Sequence, residues 1–132
     1  MEITTSTVQG RTPVTVLHLK GDLDASTIDT FTAAANQAVE GGAHDILVDM
    51  AGTPFMSSAG IRALHNLYTL LHPSETQAEQ DAIYQAINAG TYSAPHLKLL
   101  NPTKKVEEVI RLAGLDMYLT IYTSLDEAAA AF

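Results

Sequence analysis

The chain has 132 residues, 46 % of them hydrophobic, with no cysteine and a formal net charge of −8. That length buries a core without help from a metal or cross-link, and the missing cysteines exclude disulfides, thiolate catalysis and cysteine-ligated metals. The charge is spread evenly, three basic and seven acidic groups over residues 1–72 and four and eight over 73–132, so no basic patch suits a nucleic-acid backbone or an anionic membrane. No apolar run reaches the length of a membrane span, and residues 1–6 lack the basic and apolar regions of a signal peptide. A cytoplasmic protein without direct nucleic-acid or membrane contacts is expected.

Residues 2–9 alternate weakly, as an edge strand does, and Gly10-Arg11-Thr12-Pro13 is turn material. Val14–Leu19 is β-branched and apolar on both faces, the pattern of an inner strand. After the loop Gly21-Asp22-Leu23-Asp24-Ala25, the tetrad Ser26-Thr27-Ile28-Asp29 has capping-box spacing with Asp in place of Glu or Gln. It predicts a helix with Ile28, Phe31, Ala35 and Ala38 on one face, ending at Gly41-Gly42. Asp45–Met50 reads as a central strand covered on both sides.

A second helix is expected to start on the pair Ser57-Ser58 and to bury Ile61, Leu64, Leu67 or Tyr68, and Leu71. A connection of twenty-four residues, His72–Pro95, then separates it from the next strand, far longer than most connections in compact domains. Part of it is helical in pattern, with Ala78, Ala82, Ile83, Ala86 and Ile87 on a thin apolar face, Ser74 or Thr76 as cap, and Asn88-Ala89-Gly90 as stop. It is read as a short amphipathic helix on two arms or as a partly disordered segment.

His96–Leu100 is the next strand, followed by a helix from about Thr103 with Val106, Val109, Ile110 and Ala113 at helical spacing and Gly114 past its end. Leu119–Tyr122 is a last strand, and Ser124-Leu125-Asp126-Glu127 is a full capping box before an alanine-rich helix. The order β-β-α-β-α-(insert)-β-α-β-α implies an α/β sheet with parallel members.

The serine pair carries the functional question. A hydroxyl at a helix N-terminus either caps the helix or bears a phosphate that the free amides and the positive end of the dipole tolerate. Asp22 and Asp24, at the mouth of the first helix, either cap it and offset its dipole or form the rim of a partner surface that steers a basic partner. Gly52 and Gly60 supply room or positive φ near a tight turn. Gly60 also keeps the helix start uncluttered for an approaching partner. The five histidines, His18, His44, His65, His72 and His96, contain no i, i+4 pair and no HExxH, so solvated or satisfied rings are expected rather than metal ligands. His65 and His72 are seven apart and could share a helix face. A hydrolase elbow is missing, since Met56 rather than glycine stands two residues before Ser58. The chain is therefore expected to be no enzyme and to need no cofactor.

Three segments together resemble the STAS domain of the bacterial anti-sigma-factor antagonists. Gly21-Asp22-Leu23-Asp24 resembles that family's Gly-acid-Leu-Asp loop before the first helix. The stretch from Asp49 through Phe55-Met56-Ser57-Ser58-Ala59-Gly60 resembles its strand, loop and phosphorylation motif. Leu100-Asn101-Pro102 with Val106, Ile110 and Gly114-Leu115 resembles its last third. The resemblance covers most of the chain outside the insert. It implies a STAS-like single-layer mixed sheet of about five strands, one edge antiparallel, with helices mainly on one face. Residues 1–132 would form one such domain, with an atypical insertion at about 72–95.

The resemblance also implies an anti-sigma factor antagonist. Such a protein binds an anti-sigma factor with serine-kinase activity, releases a sigma factor, is switched off by phosphorylation at Ser58, and is reset by a phosphatase. Ser57 is the alternative acceptor, and Asp22, Asp24, Ser57, Ser58, Ala59, Gly60 and Arg62 are the expected partner-binding residues of a monomer or weak homodimer. Two residues depart from the motif: Ser57 replaces an aspartate common in the family, and Ala59 stands where some members have a second serine. The other readings are an unphosphorylated scaffold or sensor acting through a partner, a ligand or self-association, and, least supported, a serine-dependent enzyme.

Overall fold

The computed structural model describes residues 1–73 and 76–132. Its five strands are β1 (Glu2–Gln9), β2 (Pro13–Lys20), β3 (Ile46–Gly52), β4 (Leu97–Leu100) and β5 (Ile121–Tyr122), hydrogen-bonded in the order β1-β2-β3-β4-β5. β1 pairs antiparallel with β2, and the remaining pairs are parallel. Parallel neighbours need crossovers. These are α1 (Ile28–Glu40) between β2 and β3, α2 (Ser58–Leu71) and α3 (Gln77–Asn88) between β3 and β4, and α4 (Lys104–Leu112) between β4 and β5, with α5 (Leu125–Ala130) last.

Side-chain alternation assigns the two faces. Leu17, Leu19, Ile46, Val48, Leu97 and Leu99 point to one side, where they meet Phe31 and Ala35 of α1, Ala63, Leu64 and Leu67 of α2, and Val106 and Ile110 of α4. Val14, Val16, Leu47 and Leu100 point to the other and are covered by Ala128 and Ala129 of α5. Burial on both sides is why β2, β3 and β4 read as continuous apolar runs. The mixed sheet, its antiparallel edge and the concentration of helices on one face agree with expectation.

Two local features differ from the sequence reading. The capping box at Ser26 does not form: Thr27 is the N-cap of α1, and its hydroxyl instead donates to the Asp22 carbonyl oxygen at 2.7 Å. The Asp24 carboxylate takes the Ser26 N–H at 2.9 Å, a local turn that competes with capping. The last strand shrinks to Ile121–Tyr122 because Leu115–Met117 winds into a 3-10 turn and the Leu119 N–H returns to the Leu115 carbonyl at 2.8 Å. Gly114 precedes that turn with φ +77°, a left-handed conformation that favours glycine.

α3 is a regular helix capped by Thr76, whose hydroxyl accepts the Glu79 N–H at 3.1 Å, and none of its residues is buried. The alternative cap, Ser74, lies outside the described residues.

α2 is fastened to β4 through His72. Its Nδ1–H donates to the Tyr68 carbonyl at 2.7 Å, and its Nε2 accepts the His96 N–H at 3.0 Å. Both ring nitrogens are used only in the neutral form. Burial depresses the His72 pKa below the ordinary imidazole value, helped by His96 and Lys98 and opposed by the Tyr68 carbonyl and Asp45. Below about pH 6.5 the unfolded chain therefore binds a proton that the native ring refuses, so this contribution to stability is lost as pH falls. Thermal midpoints measured from about pH 7.5 down to 5.5 are expected to decline, and His72→Gln is expected to flatten that decline.

Candidate functional site

The carboxyl ends of β2 and β3 deliver two loops to the same edge of the molecule, and main-chain bonds stitch them together. The Gly21 N–H donates to the Gly52 carbonyl at 2.9 Å, the Leu23 N–H to the Phe55 carbonyl at 3.0 Å, and the Ser57 N–H to the Leu23 carbonyl at 3.0 Å. Leu23 and Met56 form a parallel bridge and are both fully buried. A third loop joins through Thr103, whose hydroxyl caps α4 and also donates to the Thr53 carbonyl at 3.2 Å.

The two serines have different surroundings. Ser57 is the N-cap of α2, with φ −95° and ψ 179°, and its Oγ accepts the Ala59 N–H at 3.2 Å. Ser58 is the first helical residue, exposed, and its hydroxyl makes no hydrogen bond among the described residues. The capping reading thus belongs to Ser57, which leaves the Ser58 Oγ unengaged at the positive end of a 14-residue helix.

Gly60 is buried beneath this surface. A Cβ there would lie 2.5 Å from Met56 Cγ and 2.8 Å from the Leu23 carbonyl oxygen. Its φ is not positive, so room rather than backbone freedom explains the glycine. Gly60 is buried, and its missing side chain lets the two loops close and keeps the start of α2 uncluttered. Gly52 is similar, with the Leu19 carbonyl 2.7 Å from a would-be Cβ.

The acids also separate. Asp24 Oδ1 takes the Ser26 N–H and, at 2.6 Å, the Ser26 hydroxyl, which hold its pKa below the ordinary carboxylate value. Its carboxylate is engaged in shaping the start of α1. Asp22 is exposed, and its carboxylate has no partner among the described residues. Arg62 is exposed, forms no ion pair among the described residues, and follows Ser58 by four positions, which places both on one helical face. Ala59 is half-buried between them.

One member of this surface escaped the sequence reading. Phe55 is exposed beside the serine loop, with the Lys105 ammonium 5.4 Å from its ring centre. The signal was its place in the loop between a buried strand and the serine helix, where an aromatic is easily taken for core. Asp22, Phe55, Ser58 and Arg62 together give a patch with an acid, an apolar ring, a free hydroxyl and a cation.

The STAS domain family model matches residues 5–78, more than half of the chain. The chain belongs to the STAS domain family. Among solved structures it is similar to an anti-sigma factor antagonist from Mycobacterium paratuberculosis, with 21 % identity over 98 % of this chain and 93 % of that one and a TM-score of 0.71. It is similar to the Bacillus cell-fate determinant SpoIIAA in its phosphorylated form, with 20 % identity over 96 % of each chain and a TM-score of 0.60. It is also similar to a STAS domain protein from Planctomyces limnophilus, with 17 % identity over 96 % of each chain and a TM-score of 0.67. At these identities the likeness is one of fold. No curated protein matches the chain.

The division of labour between the serines is measurable in urea unfolding. Ser57→Ala is expected to cost about 1 kcal/mol by removing the cap, and Ser58→Ala to change stability by less than about 0.5 kcal/mol. Gly60→Ala is expected to cost about 1–3 kcal/mol, because the added methyl meets main chain that cannot retreat.

Proposed function

We propose that this protein is an anti-sigma factor antagonist. It binds an anti-sigma factor with serine-kinase activity, frees a sigma factor for transcription, and is switched off when that kinase phosphorylates Ser58. The observation that carries the reading is the free, exposed Ser58 hydroxyl on the first turn of α2, its capping duty taken by Ser57. In this reading the partner surface is Asp22, Ser57, Ser58, Ala59 and Arg62 with Phe55 as its apolar anchor, while Asp24 and Gly60 hold that surface in shape. Residues 72–95 are an addition to the STAS domain, and a phosphatase resets the switch.

The mechanism is local electrostatics. A phosphate adds about 1.5 to 2 negative charges at neutral pH. The N-terminus of α2 accepts them, and Arg62 one turn on is an intramolecular counter-charge. This fold therefore stays intact, and the cost falls on a partner packed over Ser58, where losing about 3–4 kcal/mol weakens binding a few hundredfold. Ser57 in place of an acid removes one negative charge beside the acceptor, which lowers repulsion toward the incoming phosphoryl group.

A second reading is favoured by a specific feature. α2 and α3 flank a groove of about 510 Å³ lined by His65, Tyr68, His72, Ile83, Tyr84 and Ile87, and a second of about 480 Å³ lies on the other side of His72. A sensor that takes a ligand or partner there would use the insert rather than Ser58.

A pull-down from lysate of the source cells, with wild type, Ser58→Ala, Ser58→Asp and a chain lacking residues 74–92, separates the two. Under the switch reading, wild type, Ser58→Ala and the shortened chain retain a kinase-bearing partner and Ser58→Asp loses it. Mass spectrometry after incubation with ATP then places one phosphate on Ser58. Loss of the partner only from the shortened chain favours the sensor.

A further inference from the structure

The face of the sheet opposite α1 and α2 carries a hydrogen-bonded chain that the STAS surface does not use. Ser6 on β1, His18 on β2 and Asp49 on β3 stand side by side across three strands. The His18 Nδ1 lies 2.7 Å from Asp49 Oδ2, and the His18 Nε2 lies 2.8 Å from Ser6 Oγ. Register explains the meeting: His18 pairs directly with Asp49, while Ser6 pairs with Val16, diagonal to His18. Asp49 is itself oriented, its Oδ1 accepting the Ala51 N–H at 3.1 Å.

The protons follow from chemistry. An ionised carboxylate only accepts, so Nδ1 carries the hydrogen, and in the neutral ring Nε2 is left as an acceptor to which the Ser6 hydroxyl donates. That is the polarity of an activated serine, with an imidazole base held in the right tautomer by a carboxylate. α5 covers the far end of this face, over Val14, Val16, Leu47 and Leu100, and leaves Ser6 exposed and His18 partly so. β1 is also an edge strand, so alternate N–H groups along it point away from the sheet with no strand partner among the described residues.

We propose that Ser6, His18 and Asp49 form a second site, a nucleophilic serine centre that takes acyl groups from small activated esters. Ser6 is exposed and His18 only half-buried, so the open site selects by leaving group rather than by shape, and aryl esters and thioesters are the substrate class. Ser6 Oγ attacks the carbonyl carbon while its proton passes to His18 Nε2. The tetrahedral adduct collapses, the bond to the leaving oxygen or sulfur breaks, and the leaving group takes the proton from His18. Water, deprotonated by the same nitrogen, then cleaves the Ser6 ester, releasing the acid and restoring the serine. The site lies apart from Ser58, so the proposal stands independently of the phosphorylation switch.

The test uses the whole chain with two probes, p-nitrophenyl acetate and an alkyl fluorophosphonate. A single fluorophosphonate adduct is expected on the peptide bearing Ser6. Ser6→Ala and His18→Gln are each expected to slow nitrophenolate release about 100-fold, and Asp49→Asn to slow it with His18 and Ser6 present. Ser58→Ala is expected to keep both adduct and rate. Each variant is checked for its far-ultraviolet circular dichroism and thermal midpoint, and because Ser6 is exposed, Ser6→Ala keeps the fold and serves as the deciding variant. The proposal is overturned by a folded Ser6→Ala that releases nitrophenolate at the wild-type rate, or by an adduct absent from Ser6.

Discussion

The serine surface depends on one close approach, that of the Leu23 main chain to the first turn of α2. Leu23 bridges Met56, donates to the Phe55 carbonyl and accepts the Ser57 N–H. All three contacts require that nothing larger than hydrogen stand at Gly60, where the Leu23 carbonyl oxygen would be 2.8 Å from a Cβ. Once that contact is made, Ser57 is held in the extended conformation of a cap and Ser58 is turned outward with its hydroxyl unspent. The two parallel strands bring the loops to the same edge, and this contact converts proximity into a fixed surface.

Two layers of polar work surround that contact. Asp24 and Thr27 are engaged in local bonds that start α1, and Thr103 ties the α4 cap to the Thr53 carbonyl. These residues shape the site without offering it a free group. Asp22, Phe55, Ser58 and Arg62 do the reverse: they carry charge, apolar area or a hydroxyl to solvent. A switch made by adding a phosphate suits such a division, since the charge arrives on the outward group and the shaping bonds remain as they were. In the proposed mechanism the protein changes what it can bind without changing its fold.

Much of this was legible from residue types. Val14–Leu19 and Asp45–Met50 read as inner strands because both faces are apolar, and both are inner strands with helices on either side. Gly114 read as the stop of a helix, and it has the positive φ that such a stop uses. The Ser26 box was misread because Asp24, two residues upstream, takes the Ser26 amide first, a competition that spacing does not reveal. The exposure of Phe55 and the burial of Gly60 both depend on contacts between loops some thirty residues apart, which no local pattern encodes. The chain from Ser6 through His18 to Asp49 escaped for the same reason: it exists only after three strands have chosen their register.

α3 has a consequence for how this chain can diverge. None of its residues is buried, and its cap is supplied by its own Thr76. The sheet and the serine surface draw no packing from it, so its opening free energy is set by its own turns rather than by the core. Substitutions at its exposed positions, Ala82, Tyr84 and Gln85 among them, are therefore nearly silent for folding, and that outer face is free to drift toward a new contact while the rest of the domain stays under constraint. In a small domain whose other helices are each committed to the sheet, α3 is the place where a lineage could acquire a new specificity without first losing the old one.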